Sequence, residues 1–307
     1  IFLNLIFQAP NLARYIHPNT PPTLVKDKGS ILQFQGNLGY GQRAGFEATA
    51  AAIARAKENG LCMYTIANCC HLGRIGTYGE MAADAGMVSI HFVNVNQYHP
   101  LVAPYCGSEA RFGTNPFCVA MPGTDKYGMF VLDFATSIVA LGKTRVAMLA
   151  GKKFDEPVIV DPEGRLTNDP NVMWQENPGA LLAFAKHKGS GLCFACELMA
   201  GILSGGETIQ PAHPRNDSIV NNMTAFVIDP AALCDLTFMR SEMEAMIDYV
   251  KSSHAADPVN NPVLMPGEPE RIRTKDRLEN GIEIADGEFN VIKKTCLDAG
   301  VDASLFA

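Results

Sequence analysis

The sequence predicts an α/β fold of the mixed, α+β kind, and three observations predict it. β-prone apolar segments and helix-prone segments are interspersed without a regular βαβ beat. No G-x-G-x-x-G follows a strand with an acid about twenty residues on, so a Rossmann cofactor site is not supported. At 307 residues the chain can bury a sizeable core in one large or two interleaved domains.

Taken in order, Ala13 to Ile16 continues an N-terminal helical piece that Pro18, Pro21 and Pro22 end. Ile31 to Gln35 reads as a short strand and Asn37 to Gln42 as a glycine-rich turn. Phe46 to Asn59, rich in Ala, Glu, Lys and Arg, reads as a helix stopped by Gly60. Leu61 to Ile66 is a buried strand, Thr77 to Ala85 a helix ending at Gly86, and Val88 to Val95 a strand. Asn96 to Gly113 is an irregular connection long enough to be suspected of function. Phe117 to Met121 and Met129 to Asp133 are strands. Ile138 to Ala150 reads as a helix interrupted by Gly142, and Val158 to Val160 as a strand before the turn Asp161–Gly164. Gly191 to Leu203 is so apolar a helix that burial on most sides is expected. Ala225 to Ile228 is a strand, Phe238 to Ser252 an amphipathic helix, Ala255 to Pro269 a proline-rich loop and Glu288 to Ala299 a terminal helix.

The chain is 47% apolar and 19% charged, with a net charge of −7. That balance argues against a nucleic-acid or anionic-membrane partner, which needs clustered Lys and Arg. No run of about 18 apolar residues suits a bilayer span. Ile1 to Phe7 is apolar but lacks a basic n-region and a cleavage pattern, so it is not read as a signal peptide. The nine cysteines are scattered, and Cys193 and Cys196 lie within an apolar helical pattern without a second pair at zinc spacing. They read as reduced, mostly buried thiols of a cytoplasmic protein, with no metal centre.

The chemistry is expected around Ile66 to Glu80. His71 falls between a strand and a helix, and Gly73 and Gly76 let backbone approach a ligand closely. Arg74 adds a positive charge. An imidazole, a guanidinium and helix-start amides suit a carbonyl or carboxylate substrate; a capped helix with a solvent-facing imidazole would carry the same residues.

Four other stretches stand out. Arg111 to Pro116 is a tight turn before a strand. Asp133-Phe-Ala-Thr-Ser137 ends a strand and offers two hydroxyls, either as an N-cap or as part of a phosphate cradle with Lys143 and Arg145. Lys186-His187-Lys188 precedes glycines that open the apolar helix. Basic groups there oppose the helix dipole and make most sense with an anion between them; a solvated basic loop is the other reading. Asn261 to Glu270, followed by Arg271 and Arg273, reads as an ordered loop.

Cys70-His-Leu-Gly-Arg-Ile-Gly76, Gly113 to Pro116, Asp133 to Ser137, His187 to Gly189, Leu203 to Gly206, Asn221 to Met223 and Pro266 to Glu268 occur in the order found in one known family. From about Pro10 onward the chain resembles the non-Rossmann malate/L-lactate/ureidoglycolate dehydrogenases, NAD(P)-dependent enzymes of 2-hydroxy and 2-keto acids. Ser89 to Val93 and Arg111 to Cys118 look most like the hydroxycarboxylate dehydrogenase B branch. The resemblance implies a predominantly antiparallel mixed sheet wrapped by helices and a homodimer. It implies a helical substrate and dimerisation part from residues 1–65 with 215–307, and a cofactor-binding sheet domain from 66–214. It also implies that Gly73, Arg74 and Ile75, Val131, Leu132, Asp133, Phe134 and Ala135, His187, Asn221, and Gly267, Glu268, Pro269 and Glu270 line NAD or NADP.

One departure bears on catalysis. The family carries Ser-His-Gly shortly before the proline that matches Pro10, and here that triplet falls on Leu3-Asn4-Leu5, with Asn4 at the substrate-binding His. The start of the chain therefore reads as a truncated or processed one. The expected function is hydride transfer between NAD(P) and a 2-hydroxy or 2-keto acid, with His71 as acid/base. The alternative is a truncated or degenerate member that binds cofactor with little or no turnover.

Overall fold

A computed structural model describes residues 15–306 except 217, 260 and 285. Asn4 lies outside the described residues. Seven strands form one sheet in the order β1-β2-β3-β10-β4-β5-β6: β1 Thr23–Asp27, β2 Ile31–Gln35, β3 Leu61–Cys70, β4 Val88–Asn96, β5 Phe117–Met121, β6 Phe130–Phe134 and β10 Val220–Ile228. Only β2 and β3 pair in parallel, so the expected mostly antiparallel mixed sheet is what forms. A small antiparallel sheet, β8-β7-β9, gathers Ile159–Val160 (β7), Leu166–Thr167 (β8) and Ala180–Leu181 (β9).

The helices are α1 Gly41–Asn59, α2 Gly76–Asp84, α3 Leu141–Leu149, α4 His187–Ser204, α5 Leu236–Lys251, α6 Glu268–Asn280 and α7 Asp286–Asp298. The two faces of the large sheet differ in chemistry. Cys62, Tyr64, Ile66, Val93, Met223, Ala225 and Val227 form the main core with the alanine face of α1 and with Tyr78 and Ala82 of α2. The alternate residues Asn94, Asn222 and Thr224 face α4, where Thr224 Oγ1 donates to the Met199 carbonyl at 2.7 Å.

Midway along β3 the pairing with β10 slips by one residue, with Asn221 opposite Cys69 but Met223 opposite Ile66. Asn68 takes a φ of 54°, and its N–H is held by Asn222 Oδ1 at 2.8 Å. This bulge changes which residues face the core, from Cys62, Tyr64 and Ile66 to Cys69. β3 consequently runs four residues beyond its expected end and delivers His71 from the strand itself.

Several expectations need correction. α4 is not buried on most sides. Its Gly189, Cys193, Cys196, Glu197, Ala200 and Gly201 are buried, whereas Phe194 is 51% and Ile202 60% exposed, with Leu198 between them. The helix packs on only one side, against β4 and β10. Gly267 to Pro269 is not loop: Gly267 caps α6, which Pro269 and two acids in the first turn start and Gly281 ends. β1 was absent from the sequence reading because it is an edge strand exposed along its whole length. In the sheet, β3 crosses residue 65/66 and β10 lies between β3 and β4.

Candidate active site

The loop between β3 and α2 is fixed from five directions. Asn221 Oδ1 accepts from Leu72 N–H at 2.8 Å, and the buried Tyr78 hydroxyl donates to the Leu72 carbonyl at 2.6 Å. Asp133 Oδ2, reaching from the end of β6, accepts from Gly76 N–H at 2.8 Å. Arg74 pairs with Glu80 at 2.7 Å and lies 3.8 Å from Asp133. From behind, Gly41 at the start of α1 sits so close that a Cβ there would lie 2.0 Å from the Cys70 carbonyl oxygen and 2.5 Å from that of His71. No side chain fits at that position without moving the His71 backbone.

His71 is half-buried and its Nδ1 accepts from Gly73 N–H at 2.8 Å. An imidazole nitrogen that accepts carries no proton, so the neutral ring holds its proton on Nε2. Burial lowers its pKa from the ordinary value, which keeps the ring neutral near pH 7. Asp133 shifts the other way: burial raises its pKa, while Gly76 N–H and Arg74 pull against that rise.

Arg74, Gly76 and Asp133 are thus brought together with His71. The start of α6 joins them: the Pro266 carbonyl accepts from Val131 N–H at 3.2 Å, and Glu270 is near enough to act on the charges of Arg74 and Asp133. Phe134 packs edge-on against Phe184 with ring centroids 5.1 Å apart, which links β6 to the segment preceding α4. His187 opens α4 and stands beside Tyr105 at 5.9 Å. The helix start has no side-chain cap and no acid in its first turn, and Ala185 and Lys186 before it both take positive φ.

Thr136 and Ser137 do not cap a helix. Thr136 Oγ1 donates to the Thr114 and Asn115 carbonyls at 3.0 Å, Ser137 Oγ to the Val139 carbonyl at 2.8 Å, and α3 begins only at Leu141. Their hydroxyl protons serve the backbone, so the phosphate-cradle reading of this stretch fails. A cavity of about 760 Å³ opens elsewhere, among Tyr98, His99, Arg111 and Trp174. It is lined in part by the Asn96–Gly113 connection suspected of function, whereas His71 and the residues expected to bind the cofactor do not line it. Among the described residues no cluster of three or more His, Cys, Asp or Glu is placed to hold a metal, and no helix is long and apolar enough to cross a membrane.

Two residues that the sequence did not single out hold this loop, Tyr78 and Gly41. Tyr78 carries no sequence signal beyond an ordinary helix position, and Gly41 falls in the stretch read as a glycine-rich turn without standing out from it. Outside the loop, Glu197 of α4 does stand out, as the single charge inside the apolar run Gly191–Leu203.

With this geometry in hand, comparison with known proteins gives a consistent result. The family model for malate/L-lactate dehydrogenases matches residues 11–293. An L-lactate dehydrogenase of Cupriavidus necator is 41% identical over 255 residues, which is 83% of this chain and 73% of that protein. Hydroxycarboxylate dehydrogenase B of Escherichia coli (strain K12) is 40% identical over 270 residues, 87% of this chain and 73% of its own length. Among solved structures, sulfolactate dehydrogenase from Methanocaldococcus jannaschii superposes with a TM-score of 0.83 at 28% identity, covering 98% of this chain and 86% of that one. An α/β chain with this sheet and these matches is an oxidoreductase by class. It belongs to the malate/L-lactate dehydrogenase family.

Proposed function

We propose that this chain transfers a hydride between NAD or NADP and C2 of a 2-hydroxy or 2-keto acid, with His71 as the acid/base at the C2 oxygen. The observation that carries the proposal is the clamped loop. An imidazole of fixed tautomer is held beside the end of β6 and the start of α6, the stretches whose residues the family resemblance gives to the cofactor. The donor set suits such a cofactor. Lys186, His187 and Lys188 at the uncapped start of α4 would hold its diphosphate, and the carboxylates of Asp133 and Glu270 suit ribose hydroxyls. When bound, the cofactor supplies the hydride chemistry.

The chain's own residues supply the rest. His71 offers its Nε2 proton to the C2 oxygen and polarises the carbonyl, as a neutral imidazole can. Full proton transfer is favoured when the ring is charged. Because burial lowers its pKa below the ordinary 6.5, keto-acid reduction should speed up as pH falls from 8 through that depressed value. Arg74 does not serve as a spare cation for substrate, since Glu80 and Asp133 flank it. The apolar stripe Phe194, Leu198 and Ile202 on α4 fits a second copy of the chain, so a homodimer is part of the proposal and sedimentation measures it.

The test is to mix the purified chain with NADH or NADPH and a panel of 2-keto acids and follow nicotinamide absorbance. Turnover in the wild type and a roughly 10²–10⁴-fold loss of kcat in His71→Ala, with cofactor still bound, support the assignment. Unchanged activity in His71→Ala refutes the role of His71. Cofactor binding without turnover on any acid replaces the enzyme reading with that of a cofactor-binding member of the family.

A further inference from the structure

Glu197 is only 3% exposed and sits on the sheet-facing side of α4. Its two oxygens accept three hydrogen bonds: Oε1 from Asn94 Nδ2 at 2.9 Å and Ile209 N–H at 2.7 Å, and Oε2 from Asn115 Nδ2 at 2.7 Å. Among the described residues no cation pairs with it, and burial raises its pKa against the pull of those donors. An unpaired carboxylate in such a place is expensive, and an apolar residue would fill the helix face at lower cost. The two asparagines indicate what it does.

Asn94 leads toward His71. Its Oδ1 accepts from Asn222 Nδ2 at 2.9 Å and its carbonyl from Asn221 Nδ2 at 3.0 Å. Asn222 Oδ1 holds the Asn68 N–H at the β3 bulge, and Asn221 Oδ1 holds the Leu72 N–H next to His71, both at 2.8 Å. Asn115 leads the other way. Its carbonyl accepts from Thr136 Oγ1 at 3.0 Å, three residues beyond Asp133 on the β6 side. Asn94 uses both ends of its side-chain amide, Nδ2 toward the carboxylate and Oδ1 toward Asn222, so the carboxylate fixes which way it points. Asn115 is held by its Nδ2 to the carboxylate and to the Cys193 carbonyl at 3.2 Å, while the carbonyl that receives Thr136 is its backbone one, so here the carboxylate anchors the residue as a whole.

We propose that Glu197 is a positioning residue that sets the spacing between the His71 loop and the end of β6 through Asn94 and Asn115. The inference rests on the reading of those two segments as acid/base and cofactor sites. It goes beyond that reading by assigning their separation to one buried carboxylate that touches neither reactant. Hydride transfer is sharply sensitive to such spacing, because a misplacement of about 1 Å costs on the order of 10²-fold in rate.

The variant Glu197→Gln keeps the shape but replaces one acceptor with an NH2 that must face a donor. It is assayed with Asn94→Ala and the double variant for kcat, KM, nicotinamide dissociation constant and thermal midpoint, at a temperature well below every midpoint. The expected result is a roughly ten- to hundredfold fall in kcat for each single variant, with KM and cofactor affinity within about threefold. The double variant should lose no more than the worse single one, because both act along the same chain of bonds. In parallel, 15N-labelled histidine reports the His71 ring, its signals identified by their loss in His71→Ala. The wild type should show the Nε2–H tautomer and Glu197→Gln a mixture. A lower midpoint with kcat and the His71 signals unchanged overturns the proposal, leaving Glu197 a stabilising group only. Absence of wild-type turnover would sink the dehydrogenase reading, and the imidazole signals would still decide for or against Glu197.

Discussion

The starts of α2 and α4 face the same electrostatic problem and meet it in opposite ways. Both expose backbone N–H groups and the positive end of a helix dipole. At α2 the chain brings its own anion: Asp133 accepts from Gly76 N–H at 2.8 Å, and Arg74 steadies it from 3.8 Å. At α4 there is no side-chain cap and no acid in the first turn, and the residues around it are Lys186, His187 and Lys188. The first start is internally satisfied and serves to hold His71's loop in one geometry. The second has charge to offer and is where an outside anion gains most. A helix N-terminus therefore reads as a ligand site only after its own acids have been counted.

Breaking the first start should have the largest effect. Asp133→Ala leaves the Gly76 N–H without its acceptor and should lower the unfolding free energy by about 1–3 kcal/mol, measured as a drop in the urea midpoint. Turnover should collapse with it. An unchanged midpoint would mean that α2 is not held by its own carboxylate.

Acid titration separates both helix starts from the sheet between them. His91 is fully buried on β4 and burial pushes it down to about 3, while burial also lowers His71. The unfolded chain binds a proton at His91 below pH 6.5 and the folded chain does so only near pH 3, so stability falls as pH drops from 6.5 toward 3; His71 adds to the fall until pH passes its own lowered pKa. His91 contributes a loss approaching about 1.4 kcal/mol per pH unit across that window. His91→Leu should flatten the acid limb of the stability profile, whereas Lys186 or Lys188 variants should leave it as it is.

Neutralising the second start is a smaller perturbation. Lys186→Gln with Lys188→Gln should weaken NADH binding by roughly three- to thirtyfold, as each charge at a helix end is worth about 0.3–1 kcal/mol. The weakening should shrink in high salt while the thermal midpoint holds. If the dissociation constant does not move, α4 is not the anion site and the contrast fails. Smallest is Lys186→Gly, which relieves a φ of 57° and ψ of −126°. It should stabilise the fold by about 1 kcal/mol while still weakening cofactor binding.

Much of the framework was legible because periodicity and breakers report it directly. Ile31–Gln35, Phe117–Met121 and the α1 stop at Gly60 fall where the sequence puts them, since each pairs an apolar pattern with a clear terminator. α6 was missed because Glu268–Asn280 buries none of its residues and so carries no apolar period, although its proline start and glycine end were available. The exposed face of α4 shows the converse error. Apolar composition reports that a face seeks cover, and a single chain does not supply all of it. In the site, the His71 loop stood out because glycines, an imidazole and a guanidinium cluster within a few residues. Asp133 above Gly76 and Glu197 beneath Asn94 are contacts between residues 57 and 103 positions apart, which local patterns do not encode.

The bulge at Asn68 has a consequence for how such a chain tolerates change. Since one extra residue moves the core-facing role from even positions to Cys69, deleting a single residue between Ala67 and Cys69 would restore ordinary pairing and turn His71 toward the opposite side of the sheet. The strand would lose the Asn68 N–H bond to Asn222 and the bond that the Asn68 carbonyl accepts from Leu38 N–H, and would keep the ladder N-terminal to the bulge. A change in length there would thus cost the fold a few local contacts, while its main effect would fall on where the His71 imidazole points.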